Sequence, residues 1–325
     1  MRRSDIPRSD DSHANAHADY LAARLARPHY LATRAHYADL VPGFLSELTG
    51  SFSTSSAQNP TVAIMEAAYA DAGLDVRYIN CEVLPEHLGD AVRGAIGMGW
   101  LGFNCSIPHK EAIVEYLDEL APSARIIGAV NTVIIRDGKL IGENTDGQGF
   151  VDSLRTVSDP AGKQIVIFGA GGAARAIAVE SALAGATSIT IVNRTAERGE
   201  QLASLVDSQT PASARFMPWT PNFAIPAGSD IVINATSLGF HPNADQTLDV
   251  DTATFTPAMV VADVVANPPM TTWLQAASNA GCTPLTGLGM LVNQALVNAR
   301  LWTGQTLNAR VMHTALEQAL GITDK

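Results

Sequence analysis

The chain has 325 residues, 46% of them hydrophobic and 16% charged, with a formal net charge of -11. That is more than one average domain needs and enough apolar material for two cores, and its scattered glycines and prolines exclude low complexity and disorder. The negative balance disfavours nucleic acid and anionic membrane surfaces as partners, so a small ligand is expected, bound where positive charge is local.

Cys81, Cys105 and Cys282 lie far apart, without CxxC spacing and in odd number, which reads as reduced thiols, and no metal site is expected. No apolar run reaches the length of a membrane helix. Arg2 and Arg3 are followed by Asp5, Asp10 and Asp11 instead of an apolar core, so no signal peptide is expected and the cytoplasm is the expected compartment. Residues 1–40 are polar and alanine-rich, and His13, His17, His29 and His36 match no metal spacing. A flexible or helical extension is expected there, with helix formers dominating from Tyr20 to Arg34.

From Asn59 the pattern sharpens. Asn59 suits an N-cap and Pro60 a first helical position, with Val62, Met65, Ala68 and Tyr69 at helical spacing up to Gly73. Val76 to Cys81 reads as a strand, Pro85 to Met98 as a helix, and Trp100 to Ser106 as a strand entering Pro108. A helix carrying Ile113, Tyr116, Leu117 and Leu120 follows. The run NTVIIRDGKLIGEN is then a hairpin whose Asp137-Gly138 pair suits a tight primed turn, bringing Asn131 near Asn144 to Asp146.

Gln164 to Gly169 is a short strand, followed by the turn GAGGAAR and an alanine-rich helix. Further parallel-type strands are expected at Ser188 to Val192, Asp230 to Ala235 and Met259 to Val265. The helical segment Leu291 to Leu301, after Gly287 and Gly289, is expected to pack back onto the first domain. The fold class is α/β with two domains: an N-terminal α/β substrate domain over residues 41–148 plus 287–325, and a Rossmann-type doubly wound NADP-binding domain over 149–286.

Gly169, Gly171 and Ala174 occupy the three positions of a dinucleotide turn between strand and helix, and Ala170, Gly172 and Ala173 complete the loop. The first glycine permits the turn, the second lets amides approach a pyrophosphate, and the helix N-terminus adds partial positive charge. About twenty residues on, where an NAD site places a carboxylate, stand Asn193, Arg194 and Thr195, with Arg198 one turn later. Two guanidiniums and a hydroxyl suit a 2′-phosphate, so NADP is the expected cofactor; the alternative is that both arginines are merely solvated. Hydride chemistry at an alcohol or ketone also needs a proton-passing group, for which Lys110, at a helix start after Pro108, is the best candidate.

Taken together, NCSIPHK, GAVNT, ENTDG, GAGGAAR, NRT, NATSLG and GLGMLVNQA occur in an order that resembles the shikimate dehydrogenase family over roughly Asn59 to Leu301. The resemblance implies a reversible ketone–hydroxyl interconversion on shikimate or a related cyclic hydroxy acid or polyol, in a cleft between the two domains. It implies Lys110 and Asp146 as the catalytic pair and Asn131 and Gln294 as substrate-hydroxyl ligands, with Ser106 where the family usually has threonine. It further implies a 2′-phosphate clamp of Asn193, Arg194, Thr195 and Arg198, and a wall around ribose and nicotinamide from Asn234, Thr236, Val264, Gly287, Gly289 and Met290. A homodimer is compatible with it.

The departures concern the substrate. The family's Ser-x-Ser-Pro, whose hydroxyls hold a carboxylate, stands here as Ala57, Gln58, Asn59 and Pro60, and its tyrosine after the YDLV-type strand is Ala266. Asn59 can hydrogen-bond a carboxylate or act as N-cap, and Ser53, Ser55, Ser56 or Gln58 could restore carboxylate binding through a shifted loop. The expectation is a shikimate relative altered at its carboxylate end. The alternatives are a quinate, aminoshikimate or other cyclitol dehydrogenase, or a non-catalytic ligand sensor.

Overall fold

The computed structural model describes residues 45–240 and 243–322. Met1–Ser46 and Glu47–Lys325 are separate units, and everything below concerns the second. The expected extension over residues 1–40, with its four histidines, lies outside the described residues.

The first half builds a mixed six-stranded sheet. Strand β1 (Glu47–Ser53) leads through a 3-10 turn (Ser56–Gln58) into α1 (Thr61–Asp71), then β2 (Val76–Glu82) and α2 (Leu88–Gly97). Strand β3 (Gly102–Cys105), the short α3 (His109–Ala112), β4 (Glu119–Leu120), α4 (Pro122–Ile127), β5 (Thr132–Arg136) and β6 (Lys139–Glu143) complete it. The order is β2-β1-β3-β5-β6-β4, with β5 antiparallel to both neighbours. Asp137 and Gly138 have φ of 51° and 77°, the two left-handed residues that the primed turn between β5 and β6 requires.

Two differences from the sequence reading lie beside the candidate site. Helix α1 starts at Thr61, one residue later than expected, with Asn59 Oδ1 still accepting from the Thr61 N–H at 3.0 Å. The helix expected to carry Ile113 through Leu120 breaks up: α3 stops at Ala112, a 3-10 turn covers Ile113–Tyr116, and Leu120 belongs to β4. The open edge of β6 captures this segment, Asp118 N–H donating to Leu140 O and Ala121 N–H to Gly142 O. A sheet edge with unpaired backbone groups outweighs the modest preference of a few residues for helix.

Helix α5 (Thr145–Leu154) runs through the expected domain boundary at 148 and connects to the second sheet. That sheet comprises β7 (Gln164–Phe168), β8 (Ser188–Asn193), β9 (Ser213–Pro218), β10 (Ile231–Asn234), β11 (Val260–Asp263) and β12 (Thr283–Leu285). Helices α6 (Gly172–Leu183), α7 (Ala196–Gln209) and α8 (Thr272–Asn279) cross over between strands. Every pairing is parallel, and the order β9-β8-β7-β10-β11-β12 is that of a doubly wound Rossmann sheet with its switch point beside β7. Alanine makes this sheet possible: Ala174, Ala176, Ala178 and Ala182 of α6 are fully buried, letting the helix lie close on Ile165, Ile167, Ile189 and Ile191. Each such isoleucine contributes roughly 1.5–3 kcal/mol by leaving water.

Helix α9 (Leu288–Thr303) leaves β12 and returns to the first sheet, where Val292, Ala295, Ala299 and Trp302 join a core with Ile64, Met65, Tyr69 and Tyr78. Helix α10 (Ala309–Ala319) seals the same core with Met312 and Leu316. The return of the last helices to the first sheet is as expected from the sequence.

Candidate functional site

Lys110 and Asp146, 36 residues apart, meet: Lys110 Nζ donates to Asp146 Oδ2 at 2.5 Å, with both side chains partly exposed to the cleft. The primed turn and the start of α5 explain how. Asn131 precedes β5, Asp146 follows β6 in the first turn of α5, and Asn131 Nδ2 donates to Asp146 Oδ1 at 2.8 Å. The Asn131 amide cannot flip, because its Oδ1 accepts from the Thr145 N–H at 2.7 Å. Behind it, Thr132, Thr145 and Asn298 form a buried hydroxyl–amide network that the motifs did not single out.

Residues Ser51, Asn59, Thr61, Asn104, Ser106, Lys110, Asn131, Asp146, Leu291 and Gln294 line one cavity of about 170 Å³. All six candidate catalytic and substrate residues are therefore brought together. Gln294, on α9, is buried, with Oε1 accepting from Asn131 Nδ2 at 3.4 Å. A larger cavity of about 850 Å³ shares Asn59, Ser106 and Leu291 and adds Ser55, Gln58, Ile107, Phe240 and Ala266.

His109 was missed, although its motif was visible. Its ring is buried beside Lys110, with Nε2 2.8 Å from Val83 O and Nδ1 lacking a partner among the described residues. The carbonyl makes Nε2 the protonated nitrogen, and the bond pins the loop carrying Ser106 and Lys110 to the segment after β2. Tyr78 and Asn104 were missed too: Tyr78 Oη donates to Asn104 Oδ1 at 2.8 Å, and Asn104 Nδ2 donates to Thr132 Oγ1 at 3.0 Å.

At the end of the cavity built by residues 51–60, the hydroxyls of Ser51, Ser53 and Ser56 are spent inside the protein. Ser53 and Ser56 bond each other at 2.9 Å, and Ser56 Oγ donates to Cys81 O at 2.7 Å. Ser55 and Gln58 are exposed and line only the larger cavity. Lys110 is the single cation among the residues lining either cavity.

The nucleotide turn has a different character. Gly169 has φ 114°, and a Cβ there would come within 2.8 Å of Ala235 O, so backbone geometry alone demands glycine. A Cβ on Gly171 or Gly172 would touch nothing within 4 Å. Internal packing does not require these two glycines, and they leave open the space at the α6 N-terminus that a pyrophosphate would approach. Ala170, Gly171, Gly172, Arg175 and Arg198 line a cleft of about 350 Å³, so the residues present fit a dinucleotide phosphate. Ala173 stands in the first turn of α6. Arg194 lies over the Trp219 ring at 4.8 Å, Asn193 Nδ2 donates to Thr195 O at 2.9 Å, and Thr195 makes no side-chain capping bond to α7. Arg175, which the sequence reading left unused, donates to Ile127 O at 3.0 Å and ties α6 to the end of α4.

The remaining wall residues have structural explanations of their own. Asn234 is buried, donating to Asp263 Oδ1 and Leu238 O and accepting from Thr236. A Cβ on Gly287 would lie 2.5 Å from Val265 O, and one on Gly289 2.2 Å from Ser153 Oγ, so both permit close packing of α9. Met290 is core, and partly buried Val264 packs against the same cluster. Asp263 is 1% exposed; burial pushes its carboxyl up to about 6 against the bonds it accepts from Val265, Thr271 and Asn234.

A doubly wound parallel sheet with a glycine turn at its switch point, joined to a second sheet that carries a lysine–carboxylate pair, defines a dinucleotide-dependent oxidoreductase. Three family descriptions match in chain order: the shikimate dehydrogenase substrate binding domain over residues 56–133, shikimate/quinate 5-dehydrogenase over 153–260, and the shikimate 5'-dehydrogenase C-terminal domain over 287–317. The chain belongs to the shikimate dehydrogenase family. It is 38% identical to shikimate dehydrogenase (NADP(+)) of Desulforamulus reducens, over 84% of this chain and 95% of that protein. Among solved structures, a shikimate dehydrogenase in complex with NADP+ is 38% identical with a TM-score of 0.80, covering 86% of this chain and 96% of that one. The ligand-free 5-ketofructose reductase of Gluconobacter sp. strain CHM43 is 57% identical with a TM-score of 0.83, covering 85% of this chain and 99% of that one.

Proposed function

We propose that this oxidoreductase uses NADP to interconvert a ketone and a secondary hydroxyl on a small polyol that lacks the carboxylate of shikimate, with Lys110 and Asp146 as its proton-handling pair. The observation that carries the substrate reading is the wall of residues 51–60. With Ser53 and Ser56 bonded internally and Asn59 and Ala57 in the place of two serines, it has no cation for a carboxylate, and of its serines only Ser55, in the larger cavity, keeps an unbonded hydroxyl. The name of the 57% identical relative supports the reading, since 5-ketofructose is a polyol ketone without a carboxylate. Residues 47–148 with the segment 287–322 serve as the substrate domain and residues 149–286 as the NADP domain.

A dinucleotide bound at the glycine turn would supply the hydride chemistry, as NADPH in reduction and as NADP+ in oxidation. Lys110 places an ammonium N–H at the reacting oxygen, stabilises the negative charge that develops there and donates the proton that completes the alcohol. Asp146 holds the ammonium in line, and Asn131 holds Asp146, so the pair is oriented before substrate arrives. The amide Nε2 of Gln294 and the hydroxyl of Ser106 read neighbouring hydroxyls, as Asn59 does at the far end. Thr195, Arg194 and Arg198 would hold the 2′-phosphate of the cofactor.

A second reading, shikimate itself, draws on exposed Ser55 and Gln58 in the larger cavity. Steady-state assays decide between them, using 5-ketofructose with NADPH, and shikimate, quinate and carboxylate-free cyclitols with NADP+. Turnover of 5-ketofructose with little turnover of shikimate is expected. Efficient turnover of shikimate at a micromolar Michaelis constant, with the carboxylate-free compounds inert, overturns the proposal.

A further inference from the structure

Directly behind the wall that Ser51 and Asn59 present to the cavity stands Asn80, on β2. Its Oδ1 accepts from Ser51 Oγ at 2.9 Å and, more distantly, from Asn59 Nδ2 at 3.4 Å. Its Nδ2 donates to Ser56 O and Asn59 O, each at 3.0 Å, spanning the 3-10 turn that delivers Asn59. The two backbone carbonyls fix which end of the Asn80 amide is nitrogen, and the Thr61 N–H fixes the Asn59 amide in the same way. Neither side chain can flip without losing a backbone bond.

We infer that Asn80 is a specificity-determining residue, because it fixes the hydrogen-bonding polarity of Ser51. This inference rests on the carboxylate-free reading of the substrate. A serine hydroxyl has one proton, and Ser51 gives it to Asn80. One lone pair of Ser51 receives Asn59 Nδ2 at 3.1 Å, and the hydroxyl turns only acceptor character toward the cavity it lines. A carboxylate, which only accepts, meets a lone pair there. A neutral hydroxyl carries a proton, so it can donate to Ser51, which a carboxylate cannot. Without Asn80, the Ser51 proton is free to turn into the cavity and the wall becomes a donor to carboxylates.

The test measures shikimate affinity by calorimetry in the presence of NADP+, and the kcat/KM ratio of shikimate to 5-ketofructose. The proteins are the full chain and its Asn80→Ala, Ser51→Ala and Asn59→Ser/Asn80→Ala variants. Facing an acceptor with an acceptor costs about tenfold, so Asn80→Ala is expected to tighten shikimate and raise the ratio by about that factor. The double variant, which adds a hydroxyl at position 59, is expected to raise the ratio further than Asn80→Ala alone. Ser51→Ala removes the opposing lone pair with little change in volume and should shift both quantities in the same direction even if Asn80→Ala fails to fold. If these variants lower turnover of both substrates equally and leave shikimate affinity unchanged, Asn80 is only a pin for the turn and the inference fails. A wild-type enzyme that prefers shikimate would instead overturn the substrate reading, whatever the variants do to the ratio.

Discussion

The cleft proposed for the nucleotide and the cavity proposed for the substrate are built on opposite plans. In the first the proposed residues are consecutive, 169–174 and 193–198, each group following a parallel strand whose end faces the switch point. There the side chains are largely unspent, and Gly171 and Gly172 are open. In the cavity proposed for the substrate the residues run from Ser51 to Gln294, arrive on seven separate elements or their flanks, and bond mostly to one another. On this proposal a cofactor phosphate is met by backbone amides and long cationic side chains. The substrate is met by a network set beforehand, in which changing one member alters what its neighbour can offer.

This contrast is broken most sharply by Lys110→Ala, expected to lower kcat by a factor of roughly 10²–10⁴, the usual worth of a positioned acid–base group. NADP binding, measured by fluorescence titration, should stay nearly intact; a parallel loss would mean that the two regions are not independent. Next comes Arg194→Ala/Arg198→Ala. Losing two charge-assisted bonds should raise the NADP Michaelis constant about 10- to 100-fold, while NAD changes little. Equal loss for both cofactors would remove the 2′-phosphate assignment.

Gly171→Ala and Gly287→Ala separate ligand from packing. Alanine at 171 meets nothing, so melting should be unchanged while NADP weakens about tenfold, as when a backbone amide is kept from a phosphate. Alanine at 287 collides with Val265 O and should lower stability by about 1–3 kcal/mol.

Asp263 offers a pH readout. Burial raises its carboxyl from 3.8 to about 6, so ionising it costs more in the folded than in the unfolded chain. Its favourable contribution is complete below the ordinary carboxylate value and is lost as pH rises through about 6. Melting temperature should therefore fall between pH 5 and pH 7 by the equivalent of about 1–2 kcal/mol. Asp263→Asn should flatten that slope, and an unchanged slope would assign it to other groups. The smallest effect is expected for Trp219→Ala, which removes the ring beneath Arg194: about a three- to fivefold rise in the NADP Michaelis constant, the worth of an exposed cation–π contact.

The amino-acid sequence by itself determined the dinucleotide unit, because every ingredient is local. A β-branched run, Gly169 and Gly171, an alanine-rich helix and the arginines after the next strand lie within 35 residues and act through backbone conformation. It also determined the primed turn at Asp137-Gly138, and through it the approach of Asn131 to Asp146. Local pattern could not show which hydrogen bonds were already taken. Ser53, Ser56 and Asn80 lie next to the departures at Ala57 and Asn59, yet their availability depends on the register of β1 against β2, a contact between residues about 30 apart. The fate of residues 113–120 was likewise settled by an edge strand that follows them in the chain. Only the tertiary structure decided whether a hydroxyl faces the ligand as a donor or an acceptor, because its one proton goes to whichever neighbour folding supplies.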